Sequence, residues 1–165
     1  LERCFKLSSR IGGTRFQDAL NEVLIASSLP SKMLRLGIYL DGTEVFDFQA
    51  DGIIVASPTG STAYSLSAGG TILAPSVEAM IVTAVCPLSL FHSMAVPITS
   101  MVEVELMKPE VGALIVVDGM IQEKLNPRDK IAIWKSDHTA TFIRFQSYYS
   151  RLKNRLLFSY KEEEP

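Results

Sequence analysis

Short apolar runs closed by turn residues recur along this chain, and they restrict it to a layered β architecture. Residues 37–40 lead into Asp41-Gly42 and then 43–46, and residues 113–117 meet Asp118-Gly119. Asp-Gly between apolar segments signals a hairpin, because both turn positions favour residues that accept positive φ. Residues 52–56 and 80–85 read as buried strands ended by Pro58 and Pro87, and 102–106 alternates apolar residues with Glu103 and Glu105, as a half-solvated strand does. Strands are also expected at 130–134 and 140–145, split by a turn at Ser136-Asp137-His138. Regular strands at this spacing predict a mainly β, β-sandwich-like domain. Helices are few: one at 62–68, started by Ser61 or Thr62 and stopped by Gly69-Gly70, and an amphipathic one at 151–158 with basic residues opposite Leu152 and Leu156. The domain is expected to occupy 1–160, with 161–165 a frayed, solvated tail.

Composition excludes several classes of function. Of 165 residues, 47% are hydrophobic and 21% charged, which supplies a core and rules out disorder. A net charge of −2 gives no basic field for nucleic acid or an anionic bilayer. Cys4 and Cys86 cannot build a disulfide framework, and no Cys or His pair has zinc spacing, so no metal site is expected and a reducing, cytoplasmic setting is the plain reading. Apolar stretches fall short of the roughly 18 to 20 residues of a spanning helix, and the first residues lack the apolar core of a signal peptide. The missing initiator Met suggests a piece of something longer.

Charge nearly vanishes in the middle: from Gly52 to Val102 only Glu78 carries one, yet the stretch is rich in Gly, Ser, Thr and Pro. It reads either as buried strands joined by small-residue turns or as the floor of a polar pocket. Its centre, Asp51 through Gly70, takes a strand into Pro58-Thr59-Gly60-Ser61-Thr62 and then a helix start. Gly60 would allow an unusual backbone angle, the first turn has free N–H groups, and Thr59, Ser61, Thr62 and Ser67 add hydroxyls to the flat face of Tyr64. That surface suits a nucleotide as well as it suits a plain N-capped surface helix. Neither G-x-x-x-x-G-K-[ST] nor G-x-G-x-x-G occurs, and Ser65 stands where a nucleophile elbow needs glycine, which disfavours a serine hydrolase. Asn21 and Glu22 could cap an element or hold a ribose and a base edge, and Asp51 could cap a turn or accept from a carboxamide or ribose. His92 reads as a core or rim residue, His138 as solvated in a turn, and Cys86 as a packed small hydrophobe.

Ala19-Leu20-Asn21-Glu22 and the run Ala50 through Gly70 resemble the NAD kinases in both order and spacing, as do Pro75-Ser76, Thr83, Cys86-Pro87, Ser89-Leu90, Val96-Pro97 and Val117-Asp118-Gly119. The resemblance implies phosphorylation of the 2′-hydroxyl on the adenosine ribose of NAD to give NADP. It implies an NAD site in the C-terminal β-rich domain of a homodimer or homotetramer, with ATP or polyphosphate and Mg2+ engaged through an N-terminal α/β domain. Asn21 and Glu22 would contact adenine and a ribose, Asp51 the nicotinamide carboxamide with Ala63 and Ser67, and Thr59, Thr62 and Tyr64 the adenine and its ribose. The family's Gly-Gly-Asp-Gly loop, whose Asp is proposed to activate the 2′-hydroxyl, is not in these residues, and Gly12-Gly13-Thr14 lacks the carboxylate. No catalytic residue is therefore expected here, and the segment alone should be inactive. Ser57 stands where Thr is usual, and Leu88 where His is common. The rival reading is a non-catalytic NAD(H)-binding or oligomerising module. A lipid-kinase relative is a remoter one, against which the Asn-Glu pair and the Thr59–Tyr64 loop both speak.

Overall fold

The structure, a computed structural model, describes residues 1–107 and 111–157. Its strands are β1 (Glu2–Ile11), β2 (Thr14–Arg15), β3 (Glu22–Ser27), β4 (Leu34–Leu40), β5 (Thr43–Ala50), β6 (Gly52–Ala56), β7 (Ala79–Val85), β8 (Ser93–Pro97), β9 (Val102–Leu106), β10 (Ala113–Val117), β11 (Met120–Leu125) and β12 (Lys130–Phe142). They pair antiparallel in two six-stranded sheets, ordered β2-β1-β12-β9-β4-β5 and β11-β10-β3-β6-β7-β8. One apolar cluster joins them: Leu7, Leu36, Val104 and Ile133 from the first sheet pack with Ile25, Ile53, Val82 and Ile115 from the second. This is the sandwich that the alternating pattern predicts, because each sheet buries one face against the other. Both Asp-Gly hairpins form as expected, with positive φ at Asp41, Gly42, Asp118 and Gly119.

Every residue of β6 is buried. Ile53 and Val55 join the inter-sheet core, whereas Ile54 and Ala56 are covered by the chain that follows. That segment is a 3-10 turn (Gly60–Thr62) and a short helix α1 (Tyr64–Ser67), separated by Ala63 at φ −101°, ψ −131°. The single helix expected at 62–68 is therefore broken, and neither piece carries a side-chain N-cap. The reason is tethering: Ser61 Oγ donates to Pro58 O and accepts from Leu73 N, so its hydroxyl is spent on a buried loop. Gly69 ends the helix at φ 91° as expected.

Other departures have local causes. No turn divides β12 at 136–138; β1 pairs with it from Phe142 to Ile131, and a register shift between Phe5 and Leu7 absorbs the irregularity. Strand β1 itself is the main element the turn-and-strand pattern does not reveal, because its Arg3, Lys6 and Arg10 mask the apolar alternation. The C-terminal helix α2 (Tyr148–Leu157) starts ahead of residue 151. Its Arg151 and Arg155 share a groove with Leu152 instead of lying opposite it. The expected helix end at Phe158 and the tail at 161–165 lie outside the described residues. Cys86 is exposed at φ 48° where β7 ends, not packed as a small hydrophobe. Among the described residues no helix is long and apolar enough to cross a membrane, which says nothing of a β-barrel.

Candidate functional site

The segment between β2 and β3 passes from one sheet to the other and is fastened on both sides. Leu7 and Ala19 exchange two backbone hydrogen bonds of 2.8 Å, tying it to β1. On the other side the Asp118 carboxylate accepts from three successive backbone N–H groups: Leu20 (2.6 Å), Asn21 (2.8 Å) and Glu22 (3.0 Å). This three-donor corner gives Asp118 a role that its reading as a hairpin residue does not contain. The Asp-Gly turn holds a side chain as well as reversing the chain.

The same corner receives the loop after β6. Ser57 N donates to Asn21 O at 2.9 Å, and Ser57 Oγ donates to Leu20 O at 2.6 Å while accepting from Gly60 N. A Cβ on Gly60 would lie 2.0 Å from Asn21 O, so two main chains touch where only glycine fits. Close approach, rather than the unusual φ expected at Gly60, fixes its identity, for its φ is not positive. The Asn21-Glu22 pair and the 57–62 loop, distant in sequence, are thus one rigid unit. Ser57 supplies the hydroxyl that a threonine would. Gly70 makes a second such contact, since a Cβ there would meet Ser65 Oγ at 2.4 Å and Thr83 Oγ1 at 2.6 Å.

Glu22 is the chemical oddity of this unit. It is 9% exposed, and its Oε2 has no hydrogen-bond partner among the described residues. Burial, followed by the charge of nearby Asp118, pushes its pKa up from 4.5 to about 7. A buried acceptor without a donor costs free energy, and a ligand carrying hydroxyl donors would satisfy it.

The remaining expected residues border two depressions. Asp51 and the half-exposed Tyr64 line one of 310 Å3, together with Gly52, Lys32 and Cys86. Thr59 and Thr62 line another of 210 Å3, under α2. Ala63, half-buried, and Ser67, exposed, lie on the same 59–67 stretch but line neither, and Asn21 and Glu22 line neither as well. The structure therefore joins Asn21 and Glu22 to the 57–62 loop, while it leaves Asp51 and Tyr64 on a different side of that loop from Thr59 and Thr62.

A second group of polar residues converges just upstream. Asp18, whose side chain is 9% exposed, accepts from Ser8 (2.7 Å), Ser136 (2.5 Å) and Arg15 (3.1 Å), and His138 Nδ1 lies 2.7 Å away. Burial works to raise its pKa, but the hydrogen bonds of Ser136, Ser8, His138 and Arg15 outweigh that and hold the carboxylate well below its usual range. His138 is thus engaged from within a strand, although its side chain is 72% exposed, and not simply solvated in a turn. His92 lies exposed on the rim. Among the described residues no cluster of three or more His, Cys, Asp or Glu could hold a metal ion.

Comparison with known proteins bears on this arrangement. The family described as the ATP-NAD kinase C-terminal domain matches residues 20–145. An NAD kinase of Methanopyrus kandleri is 46% identical over 159 residues, which cover 95% of this chain and 56% of that protein. The yeast NADH kinase solved with NADH superposes with a TM-score of 0.84 at 27% identity, over 100% of this chain and 50% of that one. An NAD kinase from Archaeoglobus fulgidus solved with ATP gives a TM-score of 0.79 at 29% identity, over 94% of this chain and 60% of that one. The chain spans about half the length, or less, of the curated relatives it matches.

Proposed function

Because the chain belongs to the ATP-NAD kinase family, through that family's C-terminal domain, we propose that it forms the dinucleotide-binding part of an NAD kinase, which phosphorylates the 2′-hydroxyl on the adenosine ribose of NAD to give NADP. The observation that carries this reading is the unpartnered Glu22 carboxyl oxygen, buried beside Asn21 where the corner meets the 57–62 loop. A carboxylate accepts two hydroxyl protons at once, which fits a ribose diol, and an amide such as Asn21 presents both a donor and an acceptor to a base edge. Asp51 would accept from the nicotinamide carboxamide, with Ala63 and Ser67 beside it, and Thr59, Thr62 and Tyr64 would enclose the adenine and its ribose.

Phosphoryl transfer needs an oriented nucleophile and cations on the donor phosphates. The acid that the resemblance assigns to activating the hydroxyl is not among these 165 residues. The chain by itself is thus expected to bind NAD and NADP without converting one to the other, because phosphoryl transfer from ATP or polyphosphate with Mg2+ needs a part of the enzyme not included in it. A homodimer or homotetramer fits the exposed Ile143, Phe145 and Tyr149, which leave apolar surface for an adjoining chain or domain.

Calorimetric titration of this chain with NAD is the test, with Tyr64→Ala as its probe. If the ring packs on the ligand, the substitution weakens binding by about 1 to 3 kcal/mol, as loss of base–aromatic stacking does. Unchanged affinity would remove Tyr64 from the site, and no heat with either NAD or NADP would remove the reading.

A further inference from the structure

The 210 Å3 groove under α2 is smaller than the roughly 300 to 1,000 Å3 of pockets that enclose drug-sized ligands. Its lining is nonetheless strongly polarised. Arg144, Arg151 and Arg155 face Thr59 and Thr62 across it, and Glu2 is the one carboxylate among the lining residues. Arg144 Nε donates to Glu2 Oε1 at 3.2 Å, and Arg151 Nη2 donates to Glu2 Oε2 at 2.5 Å. Arg155 Nη1 donates to Thr62 Oγ1 at 3.2 Å, a neutral acceptor. Among the described residues one carboxylate therefore answers three guanidiniums. Arg151 and Arg155 are also one helical turn apart on the same face, where like charges repel. Arg151 Nη1 also donates to Gln146 O at 2.8 Å, and among the described residues most of the trio's five N–H donors each are left over once these bonds are counted.

An excess of positive charge, planar donor forks and flanking hydroxyls in a space too small for a whole nucleotide describe a receptor for phosphate groups. The geometry points to this groove as an oligophosphate site, taking a pyrophosphate or longer phosphate chain between Arg144, Arg151, Arg155 and the hydroxyls of Thr59 and Thr62. The assignment rests on the nucleotide reading above, since Thr59 and Thr62 border the adenosine end proposed there. It extends that reading to residues after β12 that no motif picked out. The phosphate chain could belong to the dinucleotide itself or to a phosphoryl donor.

Inorganic tripolyphosphate, titrated calorimetrically into the chain, tests the site without a nucleoside. The wild type binds it with an affinity that falls as salt is raised. Arg155→Glu, an exposed position that leaves the Glu2 pairs intact, is expected to weaken binding at least tenfold with the unfolding midpoint unchanged. Arg155→Lys should lose only part of it, and Lys124→Glu on β11, which makes the same charge change elsewhere, should lose none. Competition separates the sources: displacement by NAD assigns the groove to the dinucleotide's pyrophosphate, and displacement by ATP alone assigns it to the donor. Equal weakening by Arg155→Glu and Lys124→Glu would overturn the site as a general charge effect, and so would no weakening by Arg155→Glu. A chain that binds NAD but not tripolyphosphate also overturns the groove while keeping the nucleotide reading; one that binds tripolyphosphate but not NAD keeps the groove and discards that reading.

Discussion

Asp18 and Glu22 are both acids withdrawn from water on one short segment, yet their surroundings are opposite. Asp18 is saturated: donors from β1, β2 and β12 converge on it, and its pKa is held down. Glu22 has an oxygen with no donor among the described residues, and its pKa rises to about 7. Burial alone would push both upward; hydrogen bonds overturn that push at Asp18, whereas at Glu22 the charge of Asp118 adds to it. A satisfied buried acid contributes to the fold, whereas an unsatisfied one costs stability and is retained when something outside the fold completes it. On this reading Asp18 is structural and Glu22 is the ligand's.

The strongest way to break that contrast is Asp18→Ala. The substitution takes away the acceptor of the Ser8 and Ser136 hydroxyl protons, on residues 0% and 2% exposed, and leaves Arg15 without its carboxylate. A loss of about 3 kcal/mol is expected in urea unfolding at pH 7. Because the folded pKa is depressed, Asp18 stabilises above its unfolded value of 3.8 and ceases to do so as pH falls through the folded value. The difference between wild type and variant should therefore persist down to about pH 4 and fade below it. A loss under about 1 kcal/mol would mean that the cluster is ornamental.

How much of this was readable beforehand differs between the two acids. The sandwich was legible because half-buried antiparallel strands leave a period-two trace, and β9 shows it residue by residue. Asn21, Glu22 and the 57–62 loop were legible through their motif. Asp18 was not, since Ser136 lies 118 residues away in the chain and joins Ser8 around it only after β1 pairs with β12. Asp118 looked like a turn residue because the turn is its local role, and its three N–H contacts are non-local. Arg151 and Arg155 read as the polar face of an amphipathic helix, Arg144 was not singled out, and only the docking of α2 beside Thr62 gives that face a counterpart.

Glu22→Gln sharpens the contrast from the other side and should be the next largest effect. The folded state holds the Glu22 proton until about pH 7, the unfolded chain releases it near 4.5, and so the wild type loses stability as pH rises between those values. Glutamine carries no ionisable proton, so the variant should equal the wild type at pH 4 and exceed it by about 1 to 2 kcal/mol at pH 8. Its affinity for NAD should nevertheless fall, because one hydroxyl acceptor becomes a donor. A variant less stable than the wild type at pH 8 would show that Glu22 has a structural partner after all.

The smallest effect belongs to His138→Gln. His138 is the most exposed contributor to the Asp18 cluster, and its removal leaves Ser8, Ser136 and Arg15 in place around the carboxylate. Solvent screens a pair in which one side chain is 72% exposed, and exposed pairs contribute roughly 0 to 1 kcal/mol. A loss within that range, shrinking further in 0.5 M salt on the order of the Debye screening expected there, would locate the strength of the cluster in its two buried hydroxyls. If His138→Gln instead cost as much as Asp18→Ala, the imidazole and the carboxylate would have to act as one inseparable pair. Asp18 would then depend on a single exposed partner, and hydrogen-bond saturation could no longer explain why these two acids differ.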